Sequence, residues 1–471
     1  MKRQSLLRTA NIWRVGLIGL AIMASLVAGA SRLIYPSPFS PLIVGGAVAA
    51  IAIVVAWLRK PVWALYAAIF VGLLPEGLFP DHILSILNRS FLLIALGVWL
   101  LDTIARRRRI AWTGTALLML GFLVWGTVTL AWVPNLDLGI ERVVQYAVRL
   151  TLFLFLIVNE IDTKESLDGL MRTLALNGWV LVLAGVGTVL FQGYEPETPL
   201  LVLGMNMNQF GVSLIVTMPG VLWLAMQASG RRKALGMSLS VVFILLAFIL
   251  IVLSGSRGSA ISLLTTLLVF WFWKPTRPWG KLGLLILAVA AVGAPFIFST
   301  TLNRFVEEAG GILGGRLAIW QATWLLIQDH FWFGVGIGNA RYAVLSYLGL
   351  FASLLGIEER SIHNPVLAIW AETGIPGLLL YLGVLGSAVW LFLRQWRRYR
   401  ETGARFLASY FALVSSVFMG FMLSWIKGGG MEYHRTYFLM LALFLIPSHL
   451  DIEGLERDTE SDVQDAGRGE P

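Results

Sequence analysis

Apolar runs of about twenty residues recur along most of the chain, and they constrain its fold more than any other feature. A helix of that length crosses a hydrocarbon core of about 30 Å. Backbone groups in lipid must be satisfied internally, and the alternation of polar and apolar residues that is typical of a membrane barrel is absent from the sequence. The sequence therefore predicts an all-α polytopic integral membrane protein with about 12–14 transmembrane helices. We count fourteen segments, near residues 15–33, 41–58, 62–79, 88–104, 112–132, 142–160, 170–191, 208–228, 235–253, 259–273, 282–299, 364–393, 405–425 and 434–447.

The composition agrees with this fold class. Hydrophobic residues make up 57% of the chain and charged residues only 13%, and the mean hydropathy is +0.77. A soluble protein cannot cover that much apolar surface. The net charge of +9 is dispersed over short connections, which excludes a nucleic-acid-binding patch. The chain has no cysteine, so disulfides and thiolate metal sites are excluded as well.

Basic residues predict the orientation in the membrane. Lys and Arg precede the first apolar segment and then occupy every second connection, for example residues 106–109 and 231–233. Cytoplasmic connections carry such an excess. Both termini are therefore predicted to be cytoplasmic, and the long connection of residues 300–362 is predicted to be extracytoplasmic.

These features divide the chain into parts with different predicted roles. The membrane-embedded parts differ from the long loop and the tail in their share of polar residues. The predicted parts are 1–141, N-terminal transmembrane helices; 142–299, the transmembrane core; 300–362, an extracytoplasmic loop with an amphipathic helix; 363–449, C-terminal transmembrane helices; and 450–471, a disordered acidic cytoplasmic tail.

The run Ser254-Gly255-Ser256-Arg257-Gly258 lies between two predicted helices on the extracytoplasmic side. Hydroxyls and amides at a helix N-terminus suit an anion, and the arginine fork matches phosphate in a bidentate manner. The alternative is a tight interhelical turn whose arginine reaches the lipid headgroups. The residue types alone favour neither interpretation.

Arg149 is a second candidate, because it falls inside an apolar run and shares a helix face with Arg142, seven residues earlier. An arginine at that depth costs at least a few kcal/mol on insertion scales, which favours a pocket or a water-filled cavity. The alternative is a structural ion pair with a carboxylate such as Glu160 or Asp102.

The extracytoplasmic loop contains a predicted amphipathic helix over residues 316–328, lying on the membrane. Arg316 occupies its first turn, where the helix dipole prefers acidic residues, and a bound anion would resolve that conflict. Residues 334–338, Gly-Val-Gly-Ile-Gly, lack the preceding strand of a dinucleotide loop and are predicted to be a turn or a close-packing element. The apolar helical face comprises Leu317, Trp320, Trp324 and Ile327.

His363 begins the next predicted membrane helix, and Asn364 and Pro365 follow it as a helix-start signal. A lone histidine at a membrane surface is usually an interfacial residue. Neighbouring arginines would favour the neutral imidazole, which is the form that accepts a proton from a hydroxyl.

The order of these motifs resembles the O-antigen ligase and polymerase superfamily over residues 204–393. The resemblance implies a GT-C-like membrane glycosyltransferase of the cytoplasmic (inner) membrane, with an extracytoplasmic active site and neither metal nor cofactor. The motifs are Asn208-Gln209-Phe210-Gly211, the run at 254–258, Gly315-Arg316 leading to Trp320, residues 333–339, and His363-Asn364-Pro365 with residues 372–377.

The resemblance further implies transfer of a glycan from undecaprenyl diphosphate to a hydroxyl on lipid A core, on a growing polysaccharide or on another acceptor. The catalytic residues are then Arg257 and Arg316, which bind the diphosphate, and His363, which activates or orients the acceptor hydroxyl. We predict substrate-binding roles for Ser254, Ser256, Arg149, Asn208, Asn364 and Glu372.

Two other classes of protein stay open at this point. An intramembrane Arg149 would suit an exporter of a lipid-linked or anionic sugar, although the chain shows no repeated half. A structural subunit could bind a partner through the extracytoplasmic helix and the acidic tail. Glycan transfer without an energy source would identify the enzyme, and vectorial movement without covalent change would identify the transporter.

Single cysteines in this cysteine-free chain test the predicted orientation. We expect Ser346→Cys to react with an impermeant thiol reagent in intact cells and Thr402→Cys to be protected, because basic connections face the cytoplasm. The opposite labelling would reverse the orientation.

Overall fold

A computed structural model describes residues 56–75, 78, 81–193, 200–297, 316–348, 361–402, 405–427, 434–448 and 450, and the structural statements below concern these residues. Their regular secondary structure is helical throughout. The helices are α1 (Pro61–Gly72), α2 (Asp81–Arg106), α3 (Gly114–Val128), α4 (Leu136–Glu160), α5 (Lys164–Gln192), α6 (Met207–Gln227), α7 (Gly230–Leu253), α8 (Arg257–Phe270), α9 (Arg277–Ile297), α10 (Arg316–Asp329), α11 (Ala340–Ala343), α12 (Leu345–Leu348), α13 (Pro365–Thr402), α14 (Arg405–Lys427) and α15 (Arg435–Leu445).

The predicted all-α polytopic membrane fold is confirmed. Within the described residues, eight helices are long and apolar enough to cross a membrane, and α1, α8 and α15 are shorter apolar helices. Each predicted segment from 62–79 onward contains a helix. The predicted segment 15–33 and most of 41–58 lie outside the described residues.

The chain divides into two compact units. In the first unit, Asp102 forms ion pairs with Arg106 at 2.6 Å and with Arg108 at 3.2 Å. Asp102, one of the carboxylates considered for Arg149, therefore has partners inside its own unit. The second unit contains all the predicted site residues. The units are Met1–Ala68 with Leu87–Ile110, and Ile69–Ile86 with Ala111–Pro471.

Helix α13 was predicted as one continuous segment, and it is broken at Gly374. Gly374 has a φ of +64°, which favours glycine, and a Cβ there would lie 2.1 Å from the carbonyl oxygen of Trp332. Pro376 has no N–H, so the carbonyl of Glu372 loses its helical partner. The break separates a short half-helix, which begins at Pro365, from the longer part of α13.

Residues 334–338, called the glycine loop below, lie against this break. Their predicted role as a close-packing element is confirmed, since a Cβ at Gly336 would lie 2.2 Å from a side-chain carbon of Val133. An unsatisfied carbonyl away from water costs several kcal/mol, so donors brought to the break stabilise both segments. The bonds run from Val335 N to Ala371 O (2.8 Å), from Gly336 N to Glu372 O (2.9 Å) and from Trp125 Nε1 to Thr373 O (2.8 Å).

The predicted amphipathic helix forms as α10, but its buried face agrees with the predicted apolar face only in part. Ile327 of the predicted face is buried, whereas Leu317 and Trp324 are exposed, and Leu326 is buried although it lies outside that face. Leu326 and Ile327 join a small hydrophobic core with the half-helix of α13 and the glycine loop. Apolar residues occur on every side of α10, so the spacing could not select the buried face.

The break in α13 can be tested by paired glycine substitutions. We expect Gly374→Ala to lower the apparent Tm of the detergent-purified protein. Its backbone conformation (φ 64°, ψ −167°) is essentially restricted to glycine and costs any other residue about 1–3 kcal/mol before the clash with Trp332 is counted. Gly386→Ala in the same helix is the control, since nothing lies within 4 Å of its Cβ position. Equal Tm values for the two variants would contradict the described break.

Candidate active site

The junction between α7 and α8 consists of two adjacent helix caps. Ser254 ends α7 and its Oγ donates to a carbonyl of the last turn at 2.8 Å, while Gly255 turns the chain with a φ of +72°. Ser256 then caps α8 by accepting from the backbone N–H of Ser259 at 3.3 Å. Arg257 is the first residue of α8 and is partly buried. The two caps therefore fix the position of the Arg257 backbone at the start of α8.

Asn208 joins the start of α6 to the same junction. The hydroxyl of Ser256 donates to Asn208 Oδ1 at 2.7 Å, and the hydroxyl of Ser259 donates to the Asn208 carbonyl at 3.4 Å. Two helix N-termini thus meet beside Arg257, and both carry partial positive charge. The structure brings Asn208 and the two motif serines together with Arg257. Their binding to substrate stays a prediction.

Arg316 begins α10 and lies within electrostatic range of Arg257. Partial burial and, to a smaller extent, the positive charge of Arg257 lower the pKa of Arg316. A guanidinium stays protonated in proteins, so two cations repel each other in partly desolvated surroundings. The ion pairs formed among the described residues do not involve Arg316.

His363 stands at the start of α13 in an unusual backbone conformation. Its φ is +55°, a region that non-glycine residues seldom occupy. Asn364 caps the helix, because its Oδ1 accepts from the N–H groups of Val366 at 3.0 Å and Leu367 at 3.2 Å. Pro365 opens the first turn, as predicted. The cap therefore fixes the backbone next to His363, and substrate binding by Asn364 stays a prediction.

One hydrogen bond links the helix of Arg316 to His363. Trp320, one turn after Arg316, donates from Nε1 to the carbonyl of Ile362 at 2.9 Å, and Ile362 directly precedes His363. Residues four apart lie on one side of a helix, so this bond draws the start of α10 toward His363. With Arg257 close to Arg316, three separate helices bring the predicted catalytic residues to one region.

Glu372 is a buried carboxylate, 6% exposed, that holds the glycine loop. It accepts hydrogen bonds from the backbone N–H groups of Gly338 and Ala340, and the positive charges of Arg142 and Arg341 act on it. A buried carboxylate is tolerated when it is paired in this way. Glu372 lies in the last turn of the half-helix that begins after His363, and it joins that half-helix to α4 and the glycine loop. Its predicted contact with substrate stays a prediction.

Arg149 belongs to a charged cluster with His434 and Arg435, two residues that the sequence motifs did not single out. It lies in the middle of α4, directly before the π-helical stretch Leu150–Leu156. The positive charges of Arg149 and Arg435 both act on His434, at the start of α15. The sequence contained one sign of this cluster. Arg435 is a basic residue next to a connection that the alternation of basic residues predicts to be extracytoplasmic.

Comparisons with known proteins confirm the predicted resemblance. Residues 241–382 match the family model described as O-Antigen ligase, a stretch that includes Arg257, Arg316 and His363. The chain is also 23% identical over 419 residues to the Teichuronic acid biosynthesis protein TuaE of Bacillus subtilis (strain 168), covering 81% of this chain and 83% of that protein. These similarities support a membrane glycosyltransferase-like function in polysaccharide biosynthesis.

The buried carboxylate gives a direct test of this scaffold. We expect Glu372→Gln to destabilise the protein by about 3 kcal/mol, because it removes the charge that faces two arginines in a buried site. Glu141→Gln is the control, since Glu141 is exposed on the same helix as Arg142. The readout is the apparent Tm in detergent. A Tm for Glu372→Gln equal to that of the control would remove Glu372 from the scaffold.

Proposed function

We propose that this chain transfers a glycan from an undecaprenyl diphosphate-linked donor to a hydroxyl of a glycan or lipid acceptor. Transfer would take place on the extracytoplasmic side of the cytoplasmic membrane, with both termini in the cytoplasm, as the basic connections predict. The observation that carries the proposal is that Trp320, one turn after Arg316, bonds to Ile362 next to His363, while the positive charge of Arg257 acts on Arg316.

The two arginines suit a diphosphate leaving group. Each begins a helix, α8 or α10, so backbone N–H groups and a guanidinium fork are available at the same place. Their mutual repulsion is relieved when an anion binds between them. Negative charge grows on the leaving phosphate as the bond to the sugar breaks, so these contacts strengthen toward the transition state.

The proposed reaction is a direct displacement at the anomeric carbon. The acceptor oxygen forms the new bond while the bond from the anomeric carbon to the diphosphate oxygen breaks, and the electron pair leaves with the diphosphate. His363 takes the hydroxyl proton as the general base. The Asn364 cap and the Trp320 bond hold the backbone on either side of it.

In this proposal the arginines stabilise charge where a divalent cation does so in other phosphate-transfer sites, so the reaction is metal-independent. We expect transfer by the purified protein to survive excess EDTA, with the identity of the lipid-linked product checked by mass spectrometry. Loss of activity that Mg²⁺ or Mn²⁺ restores would contradict metal independence.

Lysine substitutions separate positive charge from bidentate geometry. We expect Arg257→Lys and Arg316→Lys each to lower turnover about a hundredfold, because lysine keeps the charge but loses the fork. Arg277→Lys, at an exposed position at the start of α9, should transfer glycan at the parental rate. The assay is transfer from an undecaprenyl diphosphate glycan by purified protein of equal apparent Tm.

An alanine variant tests the proton acceptor separately. His363→Ala should abolish most transfer and leave donor binding largely intact, since its proposed partner is the acceptor hydroxyl. Parental transfer rates in folded Arg257→Ala and His363→Ala proteins would contradict this site. Movement of the lipid-linked glycan across a vesicle membrane without covalent change would then favour the exporter.

A further inference from the structure

The start of α15 lies against one face of α4. The rings of Tyr146 in α4 and Phe438 in α15 are 6.2 Å apart in an edge-to-face arrangement. Phe438 lies one turn after Arg435, so the first turn of α15 is at this contact.

A second contact places the Arg435 side chain. Its guanidinium donates to the carbonyl of Gly72 at the end of α1. Gly72 in turn lies against Phe153 of α4, since a Cβ on it would be 3.2 Å from that ring. Residues three and four apart share a helix face, so Arg149 lies between the Tyr146 and Phe153 contacts. The two arginines therefore approach the same place from different helices.

The charges agree with this placement. Arg149 and Arg435 both act on His434, which caps α15 by accepting from the backbone N–H of Thr436 through Nδ1 at 3.4 Å. Two guanidinium groups and one imidazole thus belong to one cluster.

The location within the apolar span indicates a function. Arg149 is the last of the 14 residues of regular helix at the start of α4, in a span of 25 residues. It therefore lies about 20 Å from the start of that span. Ionisable residues at such depth usually line substrate or ion pathways. The π-helical stretch Leu150–Leu156 begins directly after Arg149, and π turns inside α-helices are frequent at functional sites.

We propose that Arg149 and Arg435 form a second anion-binding site, built on α4 and α15 and distinct from the Arg257 and Arg316 pair. It binds an anionic group of the same lipid-linked substrate, and so it rests on the proposed function. Two sources share this chemistry: a phosphate of the lipid diphosphate and an acidic group of the glycan. A guanidinium has several N–H donors in a fixed plane, which suits either anion.

Two donors distinguish a phosphate of the lipid from an acidic group of the glycan as the ligand. Both donors contain undecaprenyl diphosphate, but one carries a neutral glycan and the other a glycan with a uronic acid. We expect Arg149→Gln and Arg435→Gln to raise the donor KM about tenfold with at least one donor, with a smaller change in kcat. Arg435→Lys should recover part of the loss. Arg277→Gln, exposed at the start of α9, should not differ from the parent.

The pattern of losses identifies the ligand. Equal losses with both donors assign the site to the diphosphate, and a loss confined to the uronic acid donor assigns it to the glycan. Unchanged KM values with both donors would overturn the second site.

Thermal shifts test the site without any transfer assay. In the double variant Arg257→Gln, Arg316→Gln, we expect inorganic pyrophosphate or glucuronate still to raise the apparent Tm. Adding Arg149→Gln to this double variant should abolish that rise. No rise in the double variant with either probe would overturn the second site. If the parental protein transfers neither donor while the rise and its loss are seen, the proposed function fails and the anion site stands.

Discussion

The carbonyls released at the break in α13 are the constraint on which the rest of the site depends. They must find donors away from water, and the glycine loop supplies two of them. Once the loop lies there, Glu372 can accept from its backbone and face Arg142 of α4. The half-helix above the break then begins beside His363, and α10 packs against it with Arg316 at its start. The predicted site is thus built on a helix break whose carbonyls at Ala371, Glu372 and Thr373 accept hydrogen bonds from other segments.

The pairing of Arg257 with Arg316 runs against stability. Partial burial and like charge both act on Arg316, and neither contributes to folding. Asn208 and Ser256 hold the start of α8 in place, which fixes the backbone of Arg257 on the same side as Arg316. Natural sites often retain such costs because activity depends on them. This is the physical reason for assigning the pair to an anion.

The sequence predicted the helices well, since apolar runs report directly on membrane spans. It missed helix starts with polar first turns: α4 begins at Leu136, capped by Asn135, and not at residue 142. Arg257, Arg316 and His363 were singled out by their motifs. Their grouping depends on Trp320 and on the break in α13, contacts between distant segments that no local pattern contains.

The most direct test of the account is the stability of Arg316→Gln in the absence and presence of an anion. Removal of a partly buried charge next to Arg257 is predicted to leave the apparent Tm of the unliganded protein unchanged or raised. The same substitution is predicted to abolish most of the Tm increase that a short-chain prenyl diphosphate produces in the parent, which follows from ligand linkage. A lower unliganded Tm with an undiminished ligand-induced increase would contradict the account, because Arg316 would then be a structural residue and not part of an anion site.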